Sequence, residues 1–265
     1  MKLQGKTAWI TGASSGIGNA LANELFNRGA TVILSSRDVN KLSELKQKLD
    51  GISANRCHVI PLDVTKPAEI AQASAEIQKL VPRLDILVNN AGVSQRSEAL
   101  NTSIDVDRAL MEVNFFGALG VTKTVLPWMI SNGGGNITVV SSMAGKYGFR
   151  MRSAYSASKH ALHGFFETLR AECSDKNVTV TIICPGRVRT DISINSLTGE
   201  GKKYGKMDKG QANGVSVEKC VHIIANAIER DRKEVFIGFA ERFLLLVKRI
   251  LPPAYYWIVN RASPT

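Results

Sequence analysis

Short apolar runs alternate with longer amphipathic segments along this chain. The runs are rich in β-branched residues and are apolar at consecutive positions rather than at every second position. Continuous apolarity is typical of parallel strands that are buried on both faces of a sheet. The pattern therefore predicts seven strands, over residues 7–10, 31–35, 57–62, 85–89, 136–141, 178–184 and 234–237.

The segments between these strands carry apolar residues at helical spacing. Ile17, Leu21 and Leu25 are four residues apart in the first segment, which places them on one face of a helix. Regular alternation of strand and helix indicates βαβ units, whose right-handed crossovers build an α/β fold with a doubly wound parallel sheet and helices on both faces. The predicted helices span residues 16–28, 41–49, 67–81, 104–130, 153–175 and 216–230.

Two segments lie outside this alternation. Residues 197–214 are rich in Gly and Lys and follow the sixth predicted strand, and residues 239–261 are apolar and basic. We expect a single domain over residues 1–238, with a lid at about residues 192–214, followed by an extension over residues 239–265. A lid is expected there because the segment after the sixth strand can close over a ligand at the sheet edge.

Composition narrows the class of protein. A chain of 265 residues with 44% hydrophobic and 22% charged residues is typical of one larger α/β domain, and not of a disordered or collagenous protein. Its four cysteines, Cys57, Cys173, Cys184 and Cys220, form no C-x-x-C pair, so we expect neither a metal site nor a disulfide framework. The first residues lack an apolar signal-peptide core, and the apolar run at 243–247 is too short to span a bilayer. We therefore expect a cytoplasmic protein.

The charge is basic and unevenly distributed. The chain carries 34 Lys and Arg against 23 Asp and Glu, and residues 133–265 hold +9 of the net +11. Such an excess indicates an anionic partner (nucleic acid, a membrane surface, a phosphorylated cofactor or an acidic substrate), or else only a solubilising surface. Because the basic residues are dispersed and no nucleic-acid motif accompanies them, we expect no nucleic-acid binding.

A glycine-rich turn joins the first predicted strand to the first helix. Residues 11–18 read TGASSGIG, a G-x-x-x-G-x-G spacing. Glycines at such a turn let the backbone approach a pyrophosphate, which the helix N-terminus then stabilises. The alternative is a simple helix start. The residues predicted to bind the cofactor here are Gly12, Ser14, Ser15, Gly16, Ile17 and Gly18.

The end of the second predicted strand indicates which dinucleotide binds. Dinucleotide folds that prefer NAD carry an acidic residue at this point, which binds the ribose 2′-hydroxyl. Here the strand ends in Ser35, Ser36 and Arg37, and a guanidinium can hold a 2′-phosphate. Asp38 is a counterargument, although its position also suits a helix cap. The sequence favours NADP(H) over NAD(H).

Four motifs together resemble a known family. They are TGASSGIG at residues 11–18, NNAG at residues 89–92, YSASK at residues 155–159, and Pro185-Gly186. Over residues 5 to about 237 the chain resembles a short-chain dehydrogenase/reductase of the classical type, and it is most similar to the hydroxysteroid dehydrogenase-like reductases. The resemblance implies a Rossmann-type fold, a nicotinamide cofactor and hydride transfer between that cofactor and a carbonyl or alcohol carbon.

The family's catalytic tetrad falls on Asn114, Ser142, Tyr155 and Lys159. Tyr155 and Lys159 are four residues apart, hence neighbours on a helix, and a nearby ammonium group favours a phenolate. Tyr155 would exchange the proton and Ser142 would bind the substrate oxygen. Asn114 would mark a helix distortion that holds a water linked to Lys159. The alternative for Asn114 is a polar residue on a solvated helix face.

The resemblance implies further cofactor contacts. Asp63 and Val64 would contact the adenine, and Asn90, Ala91 and Gly92 would line the adenosine side. The loop at the carboxyl end of the sixth strand would fix the nicotinamide carboxamide through Pro185, Gly186, Val188 and Thr190.

These features leave three functions open. The first is an NADP(H)-dependent reductase, or the reverse alcohol dehydrogenase, for a hydrophobic steroid-, lipid- or ketone-like substrate. The second is a β-ketoacyl thioester reductase whose substrate is carried by acyl carrier protein or CoA. The third is a cofactor-binding regulator without catalysis, which has no need of both Tyr155 and Lys159.

The tail and the oligomeric state are open as well. Residues 239–261 suit an interfacial membrane segment, a helix docked over the substrate cleft, or an oligomer interface. We expect a homo-oligomer, either a dimer or a tetramer, with peripheral membrane contact through the tail as one of its options.

Overall fold

A seven-stranded parallel sheet forms the centre of the protein. The structure is a computed structural model that describes residues 1–261. The strand order is β3-β2-β1-β4-β5-β6-β7, and every pairing is parallel. The strands are β1 (Thr7–Thr11), β2 (Thr31–Ser35), β3 (Cys57–Val59), β4 (Ile86–Asn89), β5 (Gly135–Val140), β6 (Val178–Pro185) and β7 (Glu234–Ile237).

Helices cover both faces of this sheet. Trp9 and Ile10 are neighbours in β1 and are both fully buried, but they belong to separate cores on opposite faces. The predicted doubly wound α/β fold is therefore confirmed. The helices are α1 (Gly16–Asn27), α2 (Val39–Asp50), α3 (Pro67–Leu80), α4 (Ile104–Met111), α5 (Gly117–Ser131), α6 (Ser153–Glu172), α7 (Lys209–Ala212), α8 (Val217–Glu229), α9 (Phe239–Ile250) and α10 (Pro252–Arg261).

Three of the differences between the predicted and the observed elements have a physical explanation. The helix predicted over residues 104–130 is two helices separated by a π-helical turn, Glu112–Phe116. Helix α2 begins at Val39 rather than residue 41, because the carboxylate of Asp38 accepts a hydrogen bond from the Lys41 amide at 3.2 Å and caps it. Strand β3 ends at Val59 rather than residue 62, since it lies at the sheet edge and pairs only with β2.

The tail packs against the body of the protein. The ammonium of Lys248 donates a hydrogen bond to the carbonyl of Lys146 at 2.9 Å, and the hydroxyl of Tyr147 donates to the carbonyl of Glu241 at 3.2 Å. Tyr255 is 4% exposed, and its ring meets that of Tyr147 edge to face at 5.9 Å. Helices α9 and α10 are thus docked on the protein. The domain boundary at residue 238 stays a prediction.

Within residues 1–261, one helical segment is long and apolar enough to cross a membrane. This segment is Ile104–Ser131, and only its length and composition suggest that it could span a membrane. This segment includes the π-helical turn, and it buries Val121, Val125 and Met129 in the core beneath the sheet. Its apolarity has a packing explanation, because a core helix must present such residues to the sheet.

Substitution of Tyr255 tests how the tail is held. We expect Tyr255→Ala to accelerate amide hydrogen exchange in α9 and α10 by about tenfold or more, because removal of a buried aromatic side chain costs several kcal/mol of packing. The matched control is Tyr256→Ala, since the Tyr256 side chain is largely exposed. Equal exchange rates in the two variants, measured by mass spectrometry, would contradict this docking.

Candidate active site

A cavity of about 670 Å³ opens at the carboxyl ends of the parallel strands, the edge where ligands bind in such sheets. It draws together motifs that are far apart in the sequence. Of the predicted site residues, Gly18 and Asn114 do not line it. Those that do are Gly12, Ser14, Ser15, Gly16, Ile17, Arg37, Asp63, Val64, Asn90, Ala91, Gly92, Ser142, Tyr155, Lys159, Pro185, Gly186, Val188 and Thr190.

The glycine-rich turn has the geometry of an anion cradle. Gly12 and Gly16 adopt φ angles of +65° and +54°, a region that strongly favours glycine. Helix α1 begins at Gly16, and its cap residue Ser15 makes no side-chain cap hydrogen bond. The first-turn amides of α1 therefore have no side-chain acceptor from the cap, as a phosphate-binding helix start requires.

Gly18 has a packing role in this turn. A Cβ atom at Gly18 would lie 2.3 Å from the carbonyl oxygen of Gly12 and 2.4 Å from the side-chain nitrogen of Asn90. That nitrogen donates hydrogen bonds to the carbonyls of Thr11 and Gly12, both at 3.0 Å. Gly18 and the Asn90 amide thus shape the phosphate turn from behind. Their predicted direct cofactor contact stays a prediction.

The end of β2 presents a cation to the cavity. Arg37 is exposed there, whereas the nearby carboxylate of Asp38 is engaged as the cap of α2. Asp63 lies across the same end of the cavity, with its carboxylate held by the Thr65 amide at 3.0 Å. Partial burial acts to raise the pKa of Asp63, but the hydrogen bonds from Thr65 and the charges of Arg37 and Lys66 outweigh it, and the pKa is lowered.

Tyr155 and Lys159 lie side by side on α6, with 7% and 5% of their surfaces exposed. The Lys159 ammonium is 5.8 Å from the centre of the Tyr155 ring, and it donates a hydrogen bond to the Val140 carbonyl at 2.8 Å. Burial lowers the pKa of Lys159 to about 8. This helix face therefore presents a phenol beside a desolvated amine.

Ser142 and Ser141 point in different directions at the end of β5. The hydroxyl of Ser142 accepts a hydrogen bond from the Ala144 amide at 3.1 Å and lines the cavity. The hydroxyl of Ser141 instead donates to the Lys159 carbonyl at 3.2 Å and contacts the His163 ring at 3.0 Å. Both serines line the cavity, but the Ser141 hydroxyl is engaged with α6, which leaves Ser142 as the serine predicted to bind the substrate oxygen.

Asn114 lies within the π-helical turn and is 1% exposed, which excludes a solvated helix face. Its side-chain oxygen accepts from the Val93 amide at 2.8 Å, and its nitrogen donates to the Val93 carbonyl at 3.0 Å and to the Ser158 hydroxyl at 2.9 Å. A Cβ at Gly92 would lie 3.1 Å from that oxygen and 3.5 Å from the Lys159 ammonium. The absence of a side chain at Gly92 leaves space between these two polar atoms.

Gln95 positions the start of α6, the helix that carries Tyr155 and Lys159. Its side-chain oxygen accepts hydrogen bonds from the amides of Ala154 and Tyr155, at 3.0 and 3.3 Å. Arg152, the cap residue of α6, makes no side-chain cap hydrogen bond. A loop 59 residues earlier therefore supplies the cap, and no periodicity in the sequence indicates such a contact.

A buried ion cluster fastens the predicted lid. The Asp208 carboxylate pairs with Arg96 and also with Arg152, the latter at 3.3 Å. The Arg152 guanidinium lies 5.7 Å from the centre of the Tyr155 ring, and burial lowers the pKa of Arg152. Sequence reasoning missed this cluster because its members are dispersed along the chain. The lid residues that line the cavity are Ile192, Asn195, Leu197, Lys203, Asp208, Gly210 and Gln211.

Apolar side chains form the remaining wall of the cavity. Phe149 and Met143 follow β5, and Leu244 and Val259 come from the tail. Of the three predicted placements of the tail, the one over the cleft therefore has direct structural support. The tail also braces the sixth-strand loop, since the carboxylate of Glu241 accepts a hydrogen bond from the Arg187 amide at 3.2 Å.

Potential metal ligands converge at one place in residues 1–261. One ligand atom from each of His163, Cys184 and Glu234 lies within 4.8 Å of the other two. The Glu234 carboxylate already pairs with the ammonium of Lys146 at 2.6 Å, and the group does not line the cavity. The absence of a metal site stays a prediction.

Comparison with known proteins identifies the family. The family model for short chain dehydrogenases matches residues 6–201. The chain belongs to the short-chain dehydrogenase/reductase family. It is therefore an oxidoreductase with a Rossmann-type fold, as the sequence motifs predict.

Relatives of this short-chain dehydrogenase match over nearly its whole length. It is 37% identical to a dehydrogenase/reductase SDR family protein 7-like of Drosophila melanogaster, over 99% of this chain and 82% of that protein. It is 38% identical to dehydrogenase/reductase SDR family member 7B of Mus musculus, over 94% of this chain and 79% of that protein.

Solved structures of the family have the same fold. A short-chain dehydrogenase from Burkholderia cenocepacia, in complex with NADP, superposes with a TM-score of 0.81 at 26% identity, over 99% of this chain and 100% of that one. One from Burkholderia phymatum, in complex with NAD, superposes with a TM-score of 0.84 at 21% identity, over 100% and 98%. The second comparison supports the fold alone.

Removal of the buried amine tests the pKa of Lys159 in this short-chain dehydrogenase. Between pH of about 8 and 10.5 the unfolded chain holds a proton on this lysine that the folded protein has lost. Folded stability attributable to Lys159 therefore rises with pH in that window. We expect the free energy of unfolding of wild type, relative to that of Lys159→Met, to increase by about 3 kcal/mol from the lower to the upper end of this pH window.

Urea unfolding of both proteins at several pH values measures this difference. Lys123→Met is the control, because Lys123 is exposed and its substitution should leave the pH dependence of wild-type stability unchanged. A difference between wild type and Lys159→Met that stays flat over the window would show that the folded lysine keeps an ordinary pKa.

Proposed function

We propose that this short-chain dehydrogenase is an NADP(H)-dependent enzyme that transfers a hydride between the nicotinamide and a carbonyl or secondary alcohol of a hydrophobic substrate. The observation that carries this proposal is the pairing of buried Tyr155 and Lys159 on one wall of the cavity, with Ser142 on the same edge. When bound, the nicotinamide cofactor supplies or accepts the hydride.

The side chains of this site suit the proton and charge movements of that reaction. In the reductive direction the Tyr155 hydroxyl donates its proton to the substrate oxygen, and the Ser142 hydroxyl donates a hydrogen bond to the same oxygen. The positive charges of Lys159 and Arg152 stabilise the phenolate that Tyr155 becomes. In the reverse direction that phenolate accepts the proton of the alcohol.

The energetic cost of Lys159 argues against a regulator without catalysis. Lowering the pKa of this lysine from 10.5 to about 8 corresponds to about 3 kcal/mol of destabilisation while the side chain is charged. A protein that only bound the cofactor would gain nothing from a buried amine beside a tyrosine, because its function needs no phenolate.

The Tyr155→Phe variant tests the mechanism. We expect kcat to fall by a factor of about 10² to 10⁴, because the general acid is lost, and NADPH affinity to change by less than about threefold. Tyr256→Phe is the control, since Tyr256 is exposed and does not line the cavity. Steady-state rates and NADPH fluorescence titration measure both effects. Turnover retained in Tyr155→Phe would refute the assigned proton donor.

The cofactor preference rests on Arg37. Its guanidinium is exposed at the end of β2, where the carboxylate of Asp38 is engaged as a helix cap and that of Asp63 is held by the Thr65 amide. A guanidinium at this position suits a 2′-phosphate. The NADP complex of the Burkholderia cenocepacia relative is consistent with NADP(H) use in this family.

The Arg37→Ala variant tests the preference. We expect the KM for NADPH to rise about 10- to 100-fold, which corresponds to one lost hydrogen bond to a charged group, while the KM for NADH stays unchanged. Arg108→Ala is the control, because Arg108 is also exposed but does not line the cavity. Equal increases for both cofactors in Arg37→Ala would show that Arg37 does not recognise the 2′-phosphate.

The substrate class rests on the composition of the cavity wall. Phe149, Leu197, Leu244 and Val259 supply an apolar surface near Tyr155, which supports a steroid-, lipid- or ketone-like substrate. The β-ketoacyl thioester alternative is supported by the cationic Arg150 and Lys203 on the same wall, which suit an anionic carrier. A strict requirement for a carrier-bound substrate, in a panel of ketones, steroids and ketoacyl thioesters, would favour that alternative.

The chain's other partners remain proposals. Family members act on small molecules and commonly form oligomers, which supports a homo-oligomer here. A cytoplasmic location and the absence of nucleic-acid binding rest on sequence reasoning alone.

A further inference from the structure

The outer face of α9 is apolar and uncovered. Phe239, Phe243, Leu246 and Ile250 recur at intervals of four, three and four residues, which aligns them on one side of a helix. Their exposed fractions are 88%, 60%, 52% and 71%. Leu251, which lies between the two helices, and Tyr256 and Trp257 of α10 are exposed as well. These seven side chains are called the tail stripe.

The tail stripe concentrates surface hydrophobicity at one place. Residues 1–261 contain 14 exposed large apolar side chains, and seven of them belong to this stripe of 19 residues. The other seven are distributed over the rest of the chain, where single exposed apolar residues are ordinary. A contiguous cluster of this kind marks an interaction surface.

The opposite face of the tail is already packed. Leu244, Leu245 and Val247 contact the core, and Tyr255 is buried against Tyr147. The tail stripe therefore cannot turn inward without giving up these contacts. It is an outward-facing surface of the docked helices.

The charges beside the tail stripe are positive. Arg242 and Arg249 are exposed along one edge of it, and the Arg261 guanidinium lies 4.3 Å from the centre of the Trp257 ring. The sole carboxylate side chain of residues 239–261, that of Glu241, is engaged with the Arg187 amide. A second copy of the chain docked by two-fold symmetry would bring the same cations near each other. An anionic lipid surface would complement them.

We propose that the tail stripe docks this protein on an anionic lipid bilayer as a monotopic interfacial surface. The apolar side chains enter the boundary between headgroups and acyl chains, and the flanking arginines pair with lipid phosphates. The same two helices contribute Leu244 and Val259 to the cavity, so the docked protein holds that wall of the cavity close to the lipid. A substrate dissolved in the membrane could then enter the cavity directly. That entry of substrate rests on the proposed function, whereas the docking itself does not.

Vesicle cosedimentation tests the docking with full-length protein. We expect binding to vesicles of phosphatidylcholine with about 30 mol% phosphatidylglycerol, weaker binding to phosphatidylcholine alone, and loss at about 0.5 M salt. The double variant Phe243→Ser, Leu246→Ser should lower the partition coefficient about tenfold or more. Arg242→Glu with Arg249→Glu should remove the preference for the anionic vesicles.

Leu100→Ser is the matched control, because Leu100 is 94% exposed but lies outside the tail. It should bind vesicles as wild type does. Absence of vesicle binding by wild type, or equal binding by wild type and the Phe243→Ser, Leu246→Ser variant, would overturn the proposal. So would light scattering that shows a dimer dissociating in that variant without any vesicle binding by wild type, since the stripe would then be a subunit interface.

Activity separates this proposal from the proposed function. The Phe243→Ser, Leu246→Ser variant should reduce a water-soluble ketone at the wild-type rate, because neither residue lines the cavity. It should reduce a ketone dissolved in anionic vesicles about tenfold more slowly, in line with the loss of binding. Loss of both activities in the variant would indicate a folding defect, which far-ultraviolet circular dichroism detects. If wild type binds vesicles but reduces no ketone, the proposed function is wrong and the docking proposal stands.

Discussion

The active site is built around one buried ammonium group. The buried ammonium of Lys159 exchanges contact with water for a hydrogen bond to the Val140 carbonyl. Its surroundings must therefore leave room for the amine and hold that carbonyl in place. A Cβ at Gly145 would lie 2.6 Å from the Ser141 hydroxyl and 2.8 Å from the Lys159 carbonyl, and one at Gly92 would lie 3.5 Å from the ammonium. The end of β5 and the loop after β4 are thus constrained by the ammonium of Lys159, and the turn after β5 is constrained by close packing against its backbone.

Much of the fold and the cavity could be predicted because their signals are local. Continuous apolar runs identify the parallel strands, and the spacing of Tyr155 and Lys159 fixes their shared helix face. The distortion at Asn114 is predicted only by the family resemblance, since the helical period of the segment does not indicate the π-helical turn. Gln95 and Asp208 were missed because each acts across long sequence separations, on Tyr155 and on Arg152, where only the folded chain brings the partners together.

The folded chain also changes the meaning of its basic charge. Part of the cationic excess is internal: Arg96 and Arg152 share the carboxylate of Asp208, and Lys146 pairs with Glu234. Arg96 and Arg152 thereby hold Asp208, and Lys146 holds Glu234 at the start of β7. Arg37 and the arginines of the tail, by contrast, are exposed. The cluster of Arg96, Arg152 and Asp208 therefore keeps one unit of the net positive charge inside the protein, whereas Arg37 and the tail arginines place theirs at the surface.

Tyr147 connects the tail helices to the turn that follows Ser142. It follows the short helical turn that begins after Ser142, its hydroxyl binds the Glu241 carbonyl in α9, and its ring supports Tyr255 in α10. A shift of the tail must therefore strain or break contacts that also hold the turn beside Ser142. If a partner bound to the tail changes the affinity of the cavity for its ligand, that ligand changes the affinity of the tail for the partner by the same factor. Helices α9 and α10 therefore contact the cavity in two ways: they form part of its wall, and through Tyr147 they support the turn after β5.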